Sequence, residues 1–258
     1  MSVWNKNKIM ITFITGATSG IGKSTALEFA KHGYNLVITG RRQERLTEFK
    51  SELEKTYKVK VVALCFDVRE EAQVNKAIDS LPSDFKNIDV LVNNAGLAAG
   101  LSSFQDGITS HWERMIDTNI KGLLYVSKRI SNLMIANKKG HIINVGSVAG
   151  KEVYANGHVY CATKHAVDAL NKGMRIDLLP HGIKVSAVNP GMVETEFSVV
   201  RFDGDVERAK KMYENIVPLK PEDIAETIYW MATRPAHVNI NDVIIMATIQ
   251  ANATTVLR

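Results

Sequence analysis

Tyr160 and Lys164 stand four residues apart in the stretch YCATK. On a helix that spacing puts a phenol and an ammonium on one face. A free phenol has a pKa of about 10, too high for easy proton exchange near neutral pH. A cation held within a few ångströms favours the phenolate and lowers that value. The pair therefore predicts a proton donor and acceptor, Tyr160, with Lys164 as its tuning charge. Ser147 follows the apolar run GHIINVG and is placed to hold a substrate oxygen in line with the phenol. Each residue also has a plainer reading. Tyr-x-x-x-Lys can be surface packing, a serine after a strand can cap a helix, and Asn119 in a helix can make a core hydrogen bond. The chemical reading needs a bound reaction partner nearby, so the question passes to the rest of the chain.

An early turn offers a place for one. TGATSGIG (15–22) follows an apolar run and opens an amphipathic one, with Gly16, Gly20 and Gly22 spaced G-x-x-x-G-x-G. Glycines there permit a tight turn and close backbone approach, and the helix N-terminus behind them suits a pyrophosphate. In a dinucleotide fold, an acid at the end of the second strand would hold the adenosine ribose 2′-hydroxyl. Here that place falls near Gly40, where no acid stands and Arg41 and Arg42 follow. Two guanidiniums without a carboxylate suit a 2′-phosphate, so the expected cofactor is NADP(H). As mere surface residues they would sit poorly at a helix N-terminus, where positive charge is unfavourable.

These groups need a frame. Strand candidates are 8–15, 35–40, 60–66, 88–94, 140–146, 183–190 and 241–247, mostly Ile/Val-rich and not alternating. That pattern suits parallel strands covered on both faces. Helical stretches lie between them: 22–33, ending at Gly33, and 42–58, with Leu46, Phe49 and Leu53 on one stripe. The alternation predicts an α/β fold, a single doubly wound parallel sheet of Rossmann type with about seven strands and helices on both faces. With 258 residues, one domain over 1–258 is expected. Residues of about 191–240 read as loops and small helices above the sheet, with the substrate end among them.

Composition narrows the function. A net charge of +5 with 45% apolar residues is ordinary for a globular protein. The short basic stretches KNK and NKKG are too sparse for a nucleic-acid surface. No metal-ligand spacing occurs, and no run suits a membrane span, so no metal, no membrane and a cytoplasmic location are expected. Cys65 sits in VVALCF and reads as core; Cys161 follows Tyr160. His111, Asp117 and His165 read as ordinary polar positions.

In TGATSGIG, Asp67-Val68, NNAG (93–96), Asn119 in DTNIKG, Ser147 in VGSVAG, YCATK and PGMVETEF (190–197), the chain resembles the short-chain dehydrogenase/reductase family over nearly its whole length. The resemblance implies a catalytic set of Asn119, Ser147, Tyr160 and Lys164, with Asn119 linking Lys164 to solvent through water. It implies cofactor contacts from Gly16, Thr18, Ser19, Gly20, Ile21 and Gly22 at the turn, and from Arg41, Arg42, Asp67 and Val68 at the adenosine end. Asn94, Ala95 and Gly96 would shape the floor near the ribose. Tyr160, Lys164, Pro190, Gly191, Val193 and Thr195 would complete the nicotinamide end. Stretches such as TGRRQERL and GMVETEFSVVRFDGD are similar to a branch acting on 3-hydroxy acids of the serine and L-allo-threonine type. The small-molecule substrate would then meet Ser147, Tyr154 and Arg201, with Arg201 on a carboxylate. A surface arginine paired with Asp203 or Asp205 is the competing reading. A broad carbonyl reductase is the alternative activity, while a non-catalytic NADP-binding protein would have no use for Tyr160. The family's usual homotetramer would use helices near 110–136 and 159–180 and the tail MATIQANATTVLR.

Overall fold

A computed structural model describes residues 9–258. Lys8 of the first expected strand and the KNK stretch lie outside the described residues. Seven strands form one parallel sheet: β1 (Ile11–Ile14), β2 (Asn35–Gly40), β3 (Val61–Cys65), β4 (Val90–Asn93), β5 (Gly140–Val145), β6 (Ile183–Pro190) and β7 (Asp242–Ile245). Their order across the sheet is β3-β2-β1-β4-β5-β6-β7. The order reverses between β1 and β4, which is where an open α/β sheet leaves a crevice at its carboxyl end.

The helices that cover the sheet follow from their apolar stripes. α1 (Gly20–Lys31) and α2 (Gln43–Tyr57) follow β1 and β2. α2 buries Leu46, Phe49 and Leu53, the expected stripe. With α9 (Pro221–Ala232) they close one face through Phe29, Leu46, Ile224, Ile228 and Met231. α3 (Glu71–Asp79), α5 (Leu123–Ala136) and α6 (His158–Leu178) close the other through Val74, Ile78, Val126, Ile130, Met134 and Leu178. α4 (Thr109–Ile116) runs into α5 through a π-helical turn, Asp117–Gly122. Two short helices, α7 (Phe197–Arg201) and α8 (Val206–Lys211), stand between β6 and α9.

Gly33 adopts φ +78 just beyond α1, the left-handed conformation that ends helices. Cys65 departs from expectation: it is exposed. β3 is the edge of the sheet, so an apolar run there is covered less completely than the same run in a central strand. Among the described residues no helix is long and apolar enough to cross a membrane.

Candidate active site

The glycine turn is built by contact with β4. Gly16 and Gly20 have φ of +65 and +51, a conformation L-residues with side chains rarely adopt. A Cβ on Gly22 would lie 2.3 Å from the Gly16 carbonyl oxygen and 2.4 Å from Asn94 Nδ2, so α1 presses directly on the turn. Asn94 Nδ2 donates to the carbonyls of Thr15 (2.9 Å) and Gly16 (3.1 Å). Thr15 Oγ1 in turn accepts from the backbone N–H groups of Asn94 and Ala95, each at 2.9 Å. The first turn and the segment after β4 are thus one rigid unit, with the start of α1 facing the cleft.

At the cleft's basic end, Arg42 Nη2 donates to Thr18 Oγ1 at 3.0 Å and reaches Ser19 Oγ at 3.5 Å. Arg41 lies 3.9 Å from Asp67. Asp67 is gripped more firmly by Arg69, at 2.6 Å. Burial works to raise the Asp67 carboxyl, but the Arg69 hydrogen bonds outweigh it and hold it below the usual range. Arg69 carries no local signal in the sequence. Neither does Arg45, whose Nη1 donates to Glu196 at 3.1 Å.

The catalytic candidates meet at the other end. Ser147 follows β5 and caps a short 3-10 turn, its Oγ accepting from Ala149 N–H at 3.1 Å. The cap and the site are therefore the same residue. The Tyr160 hydroxyl, on α6, is close enough to the Ser147 side chain to be influenced by it. Lys164, one turn on, is buried and donates to the Val145 carbonyl at 3.0 Å. Asn119 lies on the π-helical turn; its Nδ2 donates to the Leu97 carbonyl (2.8 Å) and to Thr163 Oγ1 (3.0 Å), and its Oδ1 accepts from Leu97 N–H (2.9 Å). π-turns of this kind recur at functional sites. Here the core hydrogen bond is real, and no direct bond joins Asn119 to Lys164.

Lys164 stands beside the Tyr160 ring but also reaches β5. Its Nζ lies 5.9 Å from the Tyr160 ring centroid and is directed to a carbonyl. Burial pushes the Lys164 ammonium down to about 8. Burial, reinforced by Tyr154, pushes the Tyr160 phenol up; Arg201 and Ser147 oppose that rise. Arg201 is a second cation at the Tyr160 ring.

Arg201 is not the surface residue that its neighbours in sequence suggest. It is only 9% exposed. Its guanidinium lies 5.1 Å from the Tyr160 ring centroid and 5.2 Å from that of Phe197. Nη2 donates to the Tyr154 hydroxyl at 2.9 Å, and Nε has no partner. Asp203 pairs instead with Arg114 and His111, and Asp205 caps α8. Among the described residues no carboxylate pairs with Arg201. A buried, uncompensated cation of this kind is costly unless an anion joins it.

One cleft is lined by Gly16, Thr18, Ser19, Gly20, Ile21, Arg41, Arg42, Asp67, Val68, Asn94, Ala95, Gly96, Ser147, Tyr160, Lys164, Pro190, Gly191, Val193 and Thr195. Gly22, Asn119, Tyr154 and Arg201 are not among its lining residues. Glu196, Phe197 and Val200 also line the cleft. Its glycine-walled turn, its helix start and its basic end are chemically matched to a phosphorylated dinucleotide. Among the described residues no cluster of His, Cys, Asp or Glu could hold a metal ion.

A doubly wound sheet with this cleft at its switch point defines a dinucleotide-dependent oxidoreductase, and the short chain dehydrogenase profile matches residues 10–205. The chain belongs to that family. It is 46% identical over 245 residues to an NADP-dependent 3-hydroxy acid dehydrogenase of Salmonella typhi, covering 95% of this chain and 97% of the relative. It is 46% identical over 242 residues to sulfoacetaldehyde reductase 2 of Chromohalobacter salexigens, covering 93% and 95%. The closed form of a serine dehydrogenase complexed with NADP+ superposes with a TM-score of 0.90 at 44% identity, covering 96% of this chain and 99% of that one.

Proposed function

We propose that this chain, as one domain over 1–258, transfers a hydride between NADP and the 3-hydroxyl carbon of a small 3-hydroxy acid of the serine or allo-threonine type. When bound, the oxidised cofactor supplies the hydride acceptor and a positive charge. Tyr160 takes the hydroxyl proton in oxidation and returns it in reduction. Ser147 holds the substrate oxygen beside the phenol. Lys164 supplies a buried ammonium at the ribose end, and Asn119 fixes the α4–α5 junction against Leu97. Thr18, Ser19, Arg41 and Arg42 receive the 2′-phosphate.

The observation that carries the substrate assignment is Arg201, a buried guanidinium over the Tyr160 ring with an unpartnered Nε and, among the described residues, no carboxylate partner. A substrate carboxylate would supply the missing anion. The names of the relatives, a hydroxy acid enzyme and a sulfoacetaldehyde reductase, both describe substrates with an anionic end. Arg201→Ala should raise KM for a 3-hydroxy acid at least tenfold and leave a neutral alcohol of the same size nearly unchanged, because a charge-assisted bond contributes about 1.5–3 kcal/mol. A panel of hydroxy acids and ketones followed by cofactor absorbance measures this. Equal responses, or far faster turnover of neutral ketones, would favour a broad carbonyl reductase.

We read the assembly as a homotetramer. Leu124 on α5, Ile176 on α6 and Leu179 just beyond it are exposed, as is Leu257 in the tail. Light scattering coupled to size exclusion should return four chains; a monomer would refute this.

A further inference from the structure

We propose that Glu196 is a built-in competitor for the cofactor's 2′-phosphate and limits the preference for NADP over NAD. The inference rests on the NADP reading above. Glu196 opens α7 and lines the cleft together with Arg41 and Arg42. Its Oε2 lies 3.5 Å from Arg42 Nη1, and its Oε1 accepts from Arg45 Nη1 at 3.1 Å. Arg42 meanwhile reaches Thr18 and Ser19 with its other nitrogen. One carboxylate thus bridges two guanidiniums at the basic end, as a phosphate would. A 2′-phosphate placed on Arg42 must share it with Glu196 or displace it, and the two anions repel at that distance. NAD carries no group there and meets no such opposition. Arg45, which does not line the cleft, holds the carboxylate in place.

The pair is exposed, so its contribution is small and weakened by salt. Glu196→Gln keeps shape and removes the charge. It should tighten NADP+ two- to fivefold by calorimetry at low ionic strength. Adenosine 2′,5′-bisphosphate, which carries the phosphate without the nicotinamide, should tighten equally. NAD+ and AMP should not change, and the gain should shrink in 0.5 M salt, a concentration at which the screening length is about 4 Å. Glu194→Gln is the control: it removes a charge from the same segment that makes no ion pair among the described residues. Unchanged or weaker NADP+ binding in Glu196→Gln would overturn the proposal, as would equal tightening by Glu194→Gln. Arg42→Ala separates the two readings. Failure of Arg42→Ala to weaken NADP+ would remove the phosphate site itself; weakening there with no effect of Glu196→Gln would remove only the competition.

Discussion

Tyr160→Phe should abolish turnover while leaving NADP+ affinity within about twofold of the native protein. Positioned general acid–base groups contribute roughly 10²–10⁴-fold in rate, so a loss of about 10³-fold or more is expected. The substitution deletes one oxygen and keeps the ring, so the edge contact with Phe197 at 5.7 Å and the Arg201 guanidinium at 5.1 Å retain their partner. Ser147 still caps its turn through Ala149 N–H. The fold should therefore lose no more than about 1 kcal/mol, the usual net worth of one hydrogen bond. Single-turnover kinetics with saturating cofactor, beside a binding titration, separates the two effects. Activity within tenfold of native would remove Tyr160 from the proton path.

Lys164→Met should cost activity and raise stability together. The Lys164 ammonium is buried, and burial depresses it from 10.5 to about 8. A depressed lysine means that the folded state binds the proton less well than the unfolded one. Below pH 8 both states are protonated, and the whole penalty, about 3 kcal/mol at 1.36 kcal/mol per unit, is present. Between pH 8 and 10.5 the penalty is relieved; above that it is gone. Methionine fills a similar volume without a charge, at the expense of the bond to the Val145 carbonyl. The variant should melt several degrees higher than the native protein at pH 7, with the gap closing as pH rises through that window. Cofactor binding and turnover should both fall, unlike in Tyr160→Phe. A variant that melts lower at pH 7 would show that the Val145 bond outweighs burial of the charge.

These two residues also show what can be read from a sequence. Helical spacing correctly puts Tyr160 and Lys164 on one face, but it cannot say where a long side chain ends. Lys164 reaches back to β5, and a second cation at the Tyr160 ring comes from residue 201. The Ile/Val runs located all seven strands because parallel strands are covered on both faces, and only their ends moved by a few residues. Cys65 failed because burial depends on a strand's rank in the sheet, which no local run encodes. Arg201 could be picked by type, yet its nearest acids in sequence, Asp203 and Asp205, are engaged elsewhere. Glu196 and Arg45 carry no local signal, since their pairing joins the start of α2 to the start of α7 across most of the chain.

The seam between β1 and β4 has a consequence for synthesis. β1 leaves the ribosome first among the strands, but one of its two neighbours arrives only after β2, α2, β3 and α3. Until then the amide groups of Asn94 and Ala95 that clasp Thr15 do not exist, and one edge of β1 is an open row of donors and acceptors. Non-local parallel pairing of this kind closes slowly. While that edge is open it can take wrong partners, and the nucleotide cleft is complete only once it is sealed.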